Sequence, residues 1–416
     1  MSTIKVQGIS PLNGEIEIQG SKNAVLPMMA ASILHKGTTV ITHVPRIQDV
    51  FCMMGILEYM GCICTLDEHT LTIDAQVITN TKIPEHYVKS MRSSIMILGA
   101  LLSRTGEAIT YYPGGCSIGK RPIDLHLHAL RELGAEITEE KDSIKAHCVK
   151  LCGKRIRFYY PSVGATENAL LASVMAEGTT QIKGAAKEPE IEELCHFLNH
   201  MGAKISGIGS DHLVIEGVLA LNDSIFRVSG DRIVAGTYLA AVSAVSGNIT
   251  LSGVNPYHMQ SVIEEFTKMG MDMKWNEMQI QMTACHRPKA LCVKTEPYPG
   301  FPTDLQSPMM GVMCMANGTS QIEETVFEGR YETAKELHKL GADIIIQGSC
   351  ARINGGMPLK GAQVTATDLR GGAALVVAGL AAEGITYITE CTHIMRGYED
   401  ICGDLRLVGA NIGRVL

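Results

Sequence analysis

The 416-residue chain has no excess of positive charge, no long apolar run and no paired cysteine pattern. Each absence removes a class of function. A net charge of −7 excludes a general nucleic-acid or anionic-membrane surface, so any anion site has to be local. No stretch comes near the eighteen or so uncharged residues of a membrane helix. Nothing at the start reads as a secretory signal. The 13 cysteines are scattered singly; Cys62-Ile63-Cys64 is their one close pair, and its spacing is not that of a zinc knuckle. A reducing cytoplasm is the expected compartment. What is present, 46% apolar and 19% charged residues, is the composition of a globular protein, too long for a single ordinary core.

The chain repeats one pattern six times. A short apolar helix runs into a glycine that opens a β-branched strand, as in LPMMAASILHKGTTVI and ALVVAGLAAEGITYI. Those glycines are Gly37, Gly106, Gly178, Gly247, Gly318 and Gly384. A second helix follows each time and stops at Gly61, Gly134, Gly202, Gly270, Gly341 or Gly409. Glycine just past a helix is the ordinary stop, because it takes the left-handed conformation cheaply. Each unit therefore reads helix, strand, helix, hairpin. The last unit, ending NIGRVL, lacks strands that the first residues, TIKVQGISPLNGEIEIQGSK, can supply. Both termini then belong to one domain, 1–20 plus 230–416, and residues 21–229 form the other.

Polar residues recur at one place in the repeat. The first helix of each unit opens at Lys22, Arg92, Gly164, Arg232, Asp304 or Arg370. The helix macrodipole favours acids at that end. Repeated cations there point to an outside anion, which helix N-termini bind through free N–H groups. The bare Gly164-Ala165-Thr166 entry suits close approach of a ligand to the backbone. Asp304 stands where its equivalents are mostly cations and is a candidate base or hydroxyl acceptor. Arg46, Lys120, Arg121, Arg330 and Arg396 precede second helices, and Pro122 suits a first turn.

The loop YYPGGCSIGKRPID, Tyr111 to Asp124, admits two readings. Gly114, Gly119 and Lys120 nearly spell a phosphate-cradling loop, but that motif needs Ser or Thr after the lysine, and Arg121 stands there. The alternative is a reactive thiol: Cys116 follows two glycines and precedes two cations, which stabilise a thiolate.

With these motifs assembled, the chain resembles the UDP-N-acetylglucosamine enolpyruvyl transferases. The resemblance runs from about Ile4 to Val415 and rests on GSKNAVLPMMAA, GGCSIGKRPIDLH, PSVGATEN, EPEIEEL, GDRIVAGTY, YPGFPTDLQSPM and RGYED, in that order. It implies an α/β fold of two inside-out α/β barrels, each of three helix-strand-helix-hairpin repeats. It implies phosphoenolpyruvate and UDP-N-acetylglucosamine as substrates, and no metal or organic cofactor. Lys22, Arg121 and Arg396 match the clamps on phosphoenolpyruvate, with Arg92 and Arg370 beside them. Asn23 and Asp304 match the residues that hold the sugar, Asp304 being the candidate to take the hydroxyl proton. Cys116 matches a loop cysteine proposed as proton donor and alkylated by fosfomycin. Arg121, Pro122, Ile123, Asp124 and Leu125, with Ser162, Val163 and Gly164, match nucleotide contacts; Val326 and Arg330 complete the substrate-binding set. Gly329, Tyr331, Met395 and Tyr160 depart from the common pattern and bear on the nucleotide's outer contacts and on Arg330. The rivals are a shikimate-type enolpyruvyl transferase, whose glycine-rich and Arg-Lys-Glu motifs are missing here, an RNA 3′-phosphate cyclase built from similar repeats, whose histidine motif is missing too, and a non-catalytic nucleotide-binding paralogue.

Overall fold

The computed structural model describes residues 2–415 apart from 115–118 and 120. The chain divides into two compact units. One is Gly20–Gly115 with Arg121–Val228; the other joins Met1–Gln19 to Ser229–Leu416. Each is an inside-out α/β barrel built from three repeats.

The repeat's first helix lies inside. In the Gly20–Val228 unit these helices are Lys22–Ser32, Ile97–Thr105 and Val163–Ser173, the second entered through the 3-10 turn Arg92–Met96. In the other unit they are Arg232–Val245, Gln306–Met313 and Leu369–Ala381, which pack on one another. Their sequences carry no polar face, so they belong in an interior. Every residue of Arg370–Ala381 is buried. Small residues let the axes approach: a Cβ on Gly311 would sit 3.2 Å from the Ala374 carbonyl.

The second helices are amphipathic by contrast. Gln260–Lys268 buries Val262, Ile263 and Phe266, one stripe of a 3.6-residue period. Outside lie four- and three-stranded sheets, one per repeat. Thr38–Thr42 pairs antiparallel with Thr70–Asp74, which pairs with Ile63–Asp67. Ser224–Arg227, from the end of the third repeat, lies parallel on the free edge and closes the ring. Alternation sets the face: Gly247–Ser252 buries Ile249 and Leu251.

The N-terminal strands serve two sheets. Thr3–Gln7 lies between Ile385–Thr389 and Asn411–Val415, antiparallel to both. Leu12–Glu17 adds parallel to Gly247–Ser252. The six glycines that stop the second helices all have φ between 92° and 107°, a region costly for any side chain. Among the glycines that precede the strands, Gly37 differs from its five equivalents in having no positive φ.

Candidate active site

In the Gly20–Val228 unit the helix starts carry the site. Lys22 is the first residue of Lys22–Ser32, and half-buried Asn23 follows it. The Lys22 Nζ lies 3.2 Å from Oδ2 of Asp49, in the first turn of helix Gln48–Tyr59. Arg92 opens its 3-10 turn and donates through Nη2 to the Arg121 carbonyl and, at 3.3 Å, to that of Pro122. It thus fixes the backbone leading into helix Asp124–Glu132. Pro122 lies ahead of that helix rather than in its first turn, and Ile123 is the N-cap. Asp124 accepts from the Tyr159 hydroxyl at 2.7 Å. Leu125 is buried on the same helix. A cavity of about 380 Å³ opens here, lined among others by Arg92, Arg121, Pro122, Ile123, Asp124 and Leu127. Tyr112, Arg131 and Glu139 line it too, Glu139 accepting from Tyr112 at 2.8 Å and from Arg131 at 2.7 Å.

Ser162 caps helix Val163–Ser173, its Oγ accepting from the Ala165 N–H at 3.4 Å. A Cβ on Gly164 would meet the His126 ring at 2.9 Å. The space that the sequence assigned to an approaching ligand is therefore partly taken by an imidazole. His126 is fully enclosed, and burial, then the nearby Arg92 and Arg121, push its pKa down to about 3. It is neutral at any ordinary pH. Farther along the helix, burial and the neighbouring Glu190 and Glu188 raise Glu167 well above the carboxylate range.

The other unit centres on Asp304, in the 3-10 turn Thr303–Leu305. Its Oδ1 accepts from Arg330 Nη2 at 2.5 Å, and its Oδ2 from Arg370 Nη2 at 3.0 Å and Nε at 3.3 Å. The arginine side chains are 4% and 3% exposed, that of Asp304 25%. Burial pulls the Arg370 pKa down, but the Asp304 charge, Tyr398 and Asp231 more than offset it and the net shift is upward. Arg370 also reaches the Tyr398 hydroxyl at 3.4 Å, which meets Thr237 Oγ1 at 2.7 Å. Arg330 lies against the Phe327 ring. Buried Glu324 organises the adjoining turn: it accepts from Thr303 Oγ1 and from the N–H groups of Val326 and Phe327, at 2.8, 2.8 and 3.0 Å. Arg396 ends the 3-10 turn Cys391–Arg396. Gln19 holds the loop after it, donating to the Gly397 carbonyl at 3.1 Å and accepting from the Glu399 N–H at 2.8 Å.

Lys22, Arg330 and Arg370 are thus members of ion pairs within their own units, not only cations awaiting an outside anion. Asp49, His126, Asn168, Glu324 and Gln19, which organise the sites, escaped the sequence reading. Cys116 lies outside the described residues. Among the described cysteines, burial pushes Cys62, Cys195 and Cys314 up to about 12, which makes them poor nucleophiles. The described residues contain no cluster of His, Cys, Asp and Glu able to hold a metal ion.

Buried cations, carboxylate-steered guanidiniums and helix starts on an inside-out barrel pair define an enolpyruvyl transferase fold, and solved structures agree. The enolpyruvyl transferase NikO from Streptomyces tendae superposes with a TM-score of 0.89 at 23% identity, covering 100% of this chain and 99% of that one. EPSP synthase from Acinetobacter baumannii gives 0.77 at 18%, covering 100% of each. The model of the EPSP synthase (3-phosphoshikimate 1-carboxyvinyltransferase) family matches residues 6–405, and the chain belongs to that family. Within it, the chain is 45% identical over 417 residues, 100% of each chain, to UDP-N-acetylglucosamine 1-carboxyvinyltransferase 2 of Caldanaerobacter subterraneus subsp. tengcongensis. It is 44% identical over 409 residues, 98% of each, to UDP-N-acetylglucosamine 1-carboxyvinyltransferase 1 of the same organism.

Proposed function

We propose that the chain transfers the enolpyruvyl group of phosphoenolpyruvate to the 3-hydroxyl of UDP-N-acetylglucosamine and releases inorganic phosphate. The observation that carries this reading is the full-length identity of 45% with a relative of that name. The hydroxyl gives its proton to Asp304 and its oxygen bonds to C2 of phosphoenolpyruvate, while C3 gains a proton from Cys116. The C2–O bond to phosphate then breaks as C3 loses a proton, which restores the double bond.

In this reading Lys22, Arg121 and Arg396 hold the phosphate and carboxylate of phosphoenolpyruvate, with Arg92 and Arg370 in support. Asn23 and Asp304 hold the sugar, and Cys116 is the proton donor. Arg121 to Leu125 and Ser162 to Gly164 take the nucleotide, and Val326 and Arg330 complete the substrate-binding set. The paired geometry of Asp304 supports its role: two guanidiniums fix its orientation while a quarter of the side chain stays open to accept a hydroxyl. Fixed cations stabilise the negative charge that the reaction moves. We place the activity in the cytoplasm, as the first committed step of peptidoglycan precursor synthesis, and so upstream of cell shape and division. No helix among the described residues is long and apolar enough to cross a membrane.

Phosphate release from phosphoenolpyruvate, with and without UDP-N-acetylglucosamine, tests the reading. Release that requires the sugar nucleotide and stops after fosfomycin is expected. Release with shikimate 3-phosphate in its place moves the chain to the other substrate class. Nucleotide binding without release makes it a non-catalytic binding module.

A further inference from the structure

We infer that Tyr398 is a positioning residue for the transfer proposed above: its hydroxyl holds the Arg370 guanidinium at the angle that aims Asp304 at the substrate hydroxyl. The inference rests on that reading.

The direction of the hydrogen bonds follows from groups whose roles are not adjustable. Arg370 Nη1 can only donate, and it lies 3.4 Å from the Tyr398 hydroxyl. The Ile233 carbonyl can only accept, and Thr237 Oγ1 donates to it at 2.9 Å. Thr237 has one hydroxyl proton, and that contact uses it. In the 2.7 Å contact between Thr237 Oγ1 and the Tyr398 hydroxyl, the tyrosine is therefore the donor. The chain runs one way, from Arg370 through Tyr398 and Thr237 to Ile233. Tyr238, next to Thr237, takes no part in it, because its hydroxyl donates to Asp404.

The residues that hold Arg370 are themselves rigid. Tyr398 and Thr237 are each 1% exposed. Thr237 lies one turn after Ile233 on helix Arg232–Val245, whose start is capped by Asp231, accepting from the Ile233 and Val234 N–H groups at 2.8 and 3.1 Å. The Tyr398 N–H donates to the Ile394 carbonyl at 3.0 Å. A buried phenol has to satisfy a hydroxyl that phenylalanine would not bring. Burial outweighs the nearby Arg370 and keeps the phenol pKa above its ordinary value. Tyr398 is thus a neutral strut at working pH, not a proton carrier.

What the hydroxyl adds is a further point of support on a planar group. Asp304 Oδ2 accepts from Nε and Nη2, which lie along one edge of the guanidinium. Contacts along one edge leave the plane free to tilt about it. Nη1 lies off that edge, and Tyr398 holds it. Arg330 engages the other carboxylate oxygen, Oδ1. The tilt of Arg370 therefore sets the angle at which Asp304 meets a hydroxyl, and misaligned groups lose rate.

The test uses Tyr398→Phe, which keeps the ring and its contact with Arg370, whose Cζ lies 5.7 Å from the centroid. Thr237→Val cuts the next link, and Thr237→Ser restores it. Single-turnover phosphate release, with enzyme in excess over phosphoenolpyruvate and UDP-N-acetylglucosamine saturating, reads the chemical step. Tyr398→Phe is expected to slow it about 3- to 10-fold, the low end for a lost hydrogen bond because the contact is long. The KM values for both substrates should stay within about 2-fold. Thr237→Val should slow the step in the same sense, and Thr237→Ser should match the wild type. The double variant Thr237→Val, Tyr398→Phe should be no slower than Tyr398→Phe alone, because one chain is cut only once. A Tyr398→Phe rate within about 1.5-fold of wild type overturns the inference. So do losses that multiply in the double variant, or a rise confined to the KM for phosphoenolpyruvate, which would make Tyr398 a support of the Arg396 loop instead. If Tyr398→Phe does not fold, a wild-type rate in Thr237→Val overturns it equally. Wild-type protein that releases no phosphate with UDP-N-acetylglucosamine overturns the transfer reading itself, and this inference with it.

Discussion

Asp304→Ala leaves two guanidiniums facing each other in a place they occupy only because a carboxylate lies between them. Arg330 and Arg370 have almost no contact with solvent, and they approach Asp304 to 2.5 and 3.0 Å. Removing one member of a buried ion pair costs roughly 3–5 kcal/mol, because the survivor keeps its charge without compensation. The open quarter of the Asp304 side chain places the loss toward the lower figure. For a unit on the order of 200 residues, each kcal/mol lowers the midpoint by about 2–4 °C. The transition of that unit should therefore fall by roughly 6–12 °C in scanning calorimetry. The double variant Asp304→Ala, Arg370→Met is expected to regain part of the loss, since it removes one stranded charge. A midpoint within about 1 °C of the wild type for Asp304→Ala refutes the reasoning, and Asp304 would then be a solvated acid whose partners are incidental.

Asp404 gives a pH test. Burial, together with Asp400 and Glu399, outweighs the Tyr238 hydrogen bond and raises its pKa from 3.8 to about 6. The folded state then holds this proton more tightly than the unfolded one. The contribution of Asp404 to stability is greatest below pH 4, falls by about 2–3 kcal/mol between pH 4 and 6, and is flat above. Asp404→Asn should be more stable than wild type at pH 7 and lose that advantage at pH 4.5, as denaturant titrations at both values will show. Gln19→Leu should raise the KM for phosphoenolpyruvate several-fold with little change in that for the sugar nucleotide, because Gln19 holds Gly397 and Glu399 beside Arg396. Steady-state kinetics decide; equal change in both constants counts against a loop-positioning role. Cys116→Ser should abolish time-dependent inactivation by fosfomycin, and inactivation at the wild-type rate would reject the thiol assignment.

The periodic part of this fold was legible because periodicity is a sequence property. Glycines from Gly61 to Gly409 mark helix stops, and the residues from Lys22 to Arg370 mark helix starts, since each helix needs both locally. Gly37 shows the limit: its five equivalents take a positive φ and it does not, a difference the repeat pattern does not mark. The partners of the site residues were not legible. Asp49 lies 27 residues from Lys22, and Asn168 lies 42 from His126. Such pairs form where different elements meet, and no local preference records them. Gly164 was recognised as a place of close approach, but a glycine does not say what approaches. Asp304 drew notice only as an acid among cations; that two of those cations converge on it is a fact of packing.

The placement of Thr3–Gln7 has a consequence for synthesis. This strand is the interior member of its sheet, yet its neighbours are Ile385–Thr389 and Asn411–Val415. A ribosome makes it before residues 20–228 and makes its partners after them. Its hydrogen-bonding edges therefore wait for their partners while Gly20–Val228 is made and can collapse around its own three helices. One unit can fold as it emerges; the other can finish only once residues 385–415 have been made.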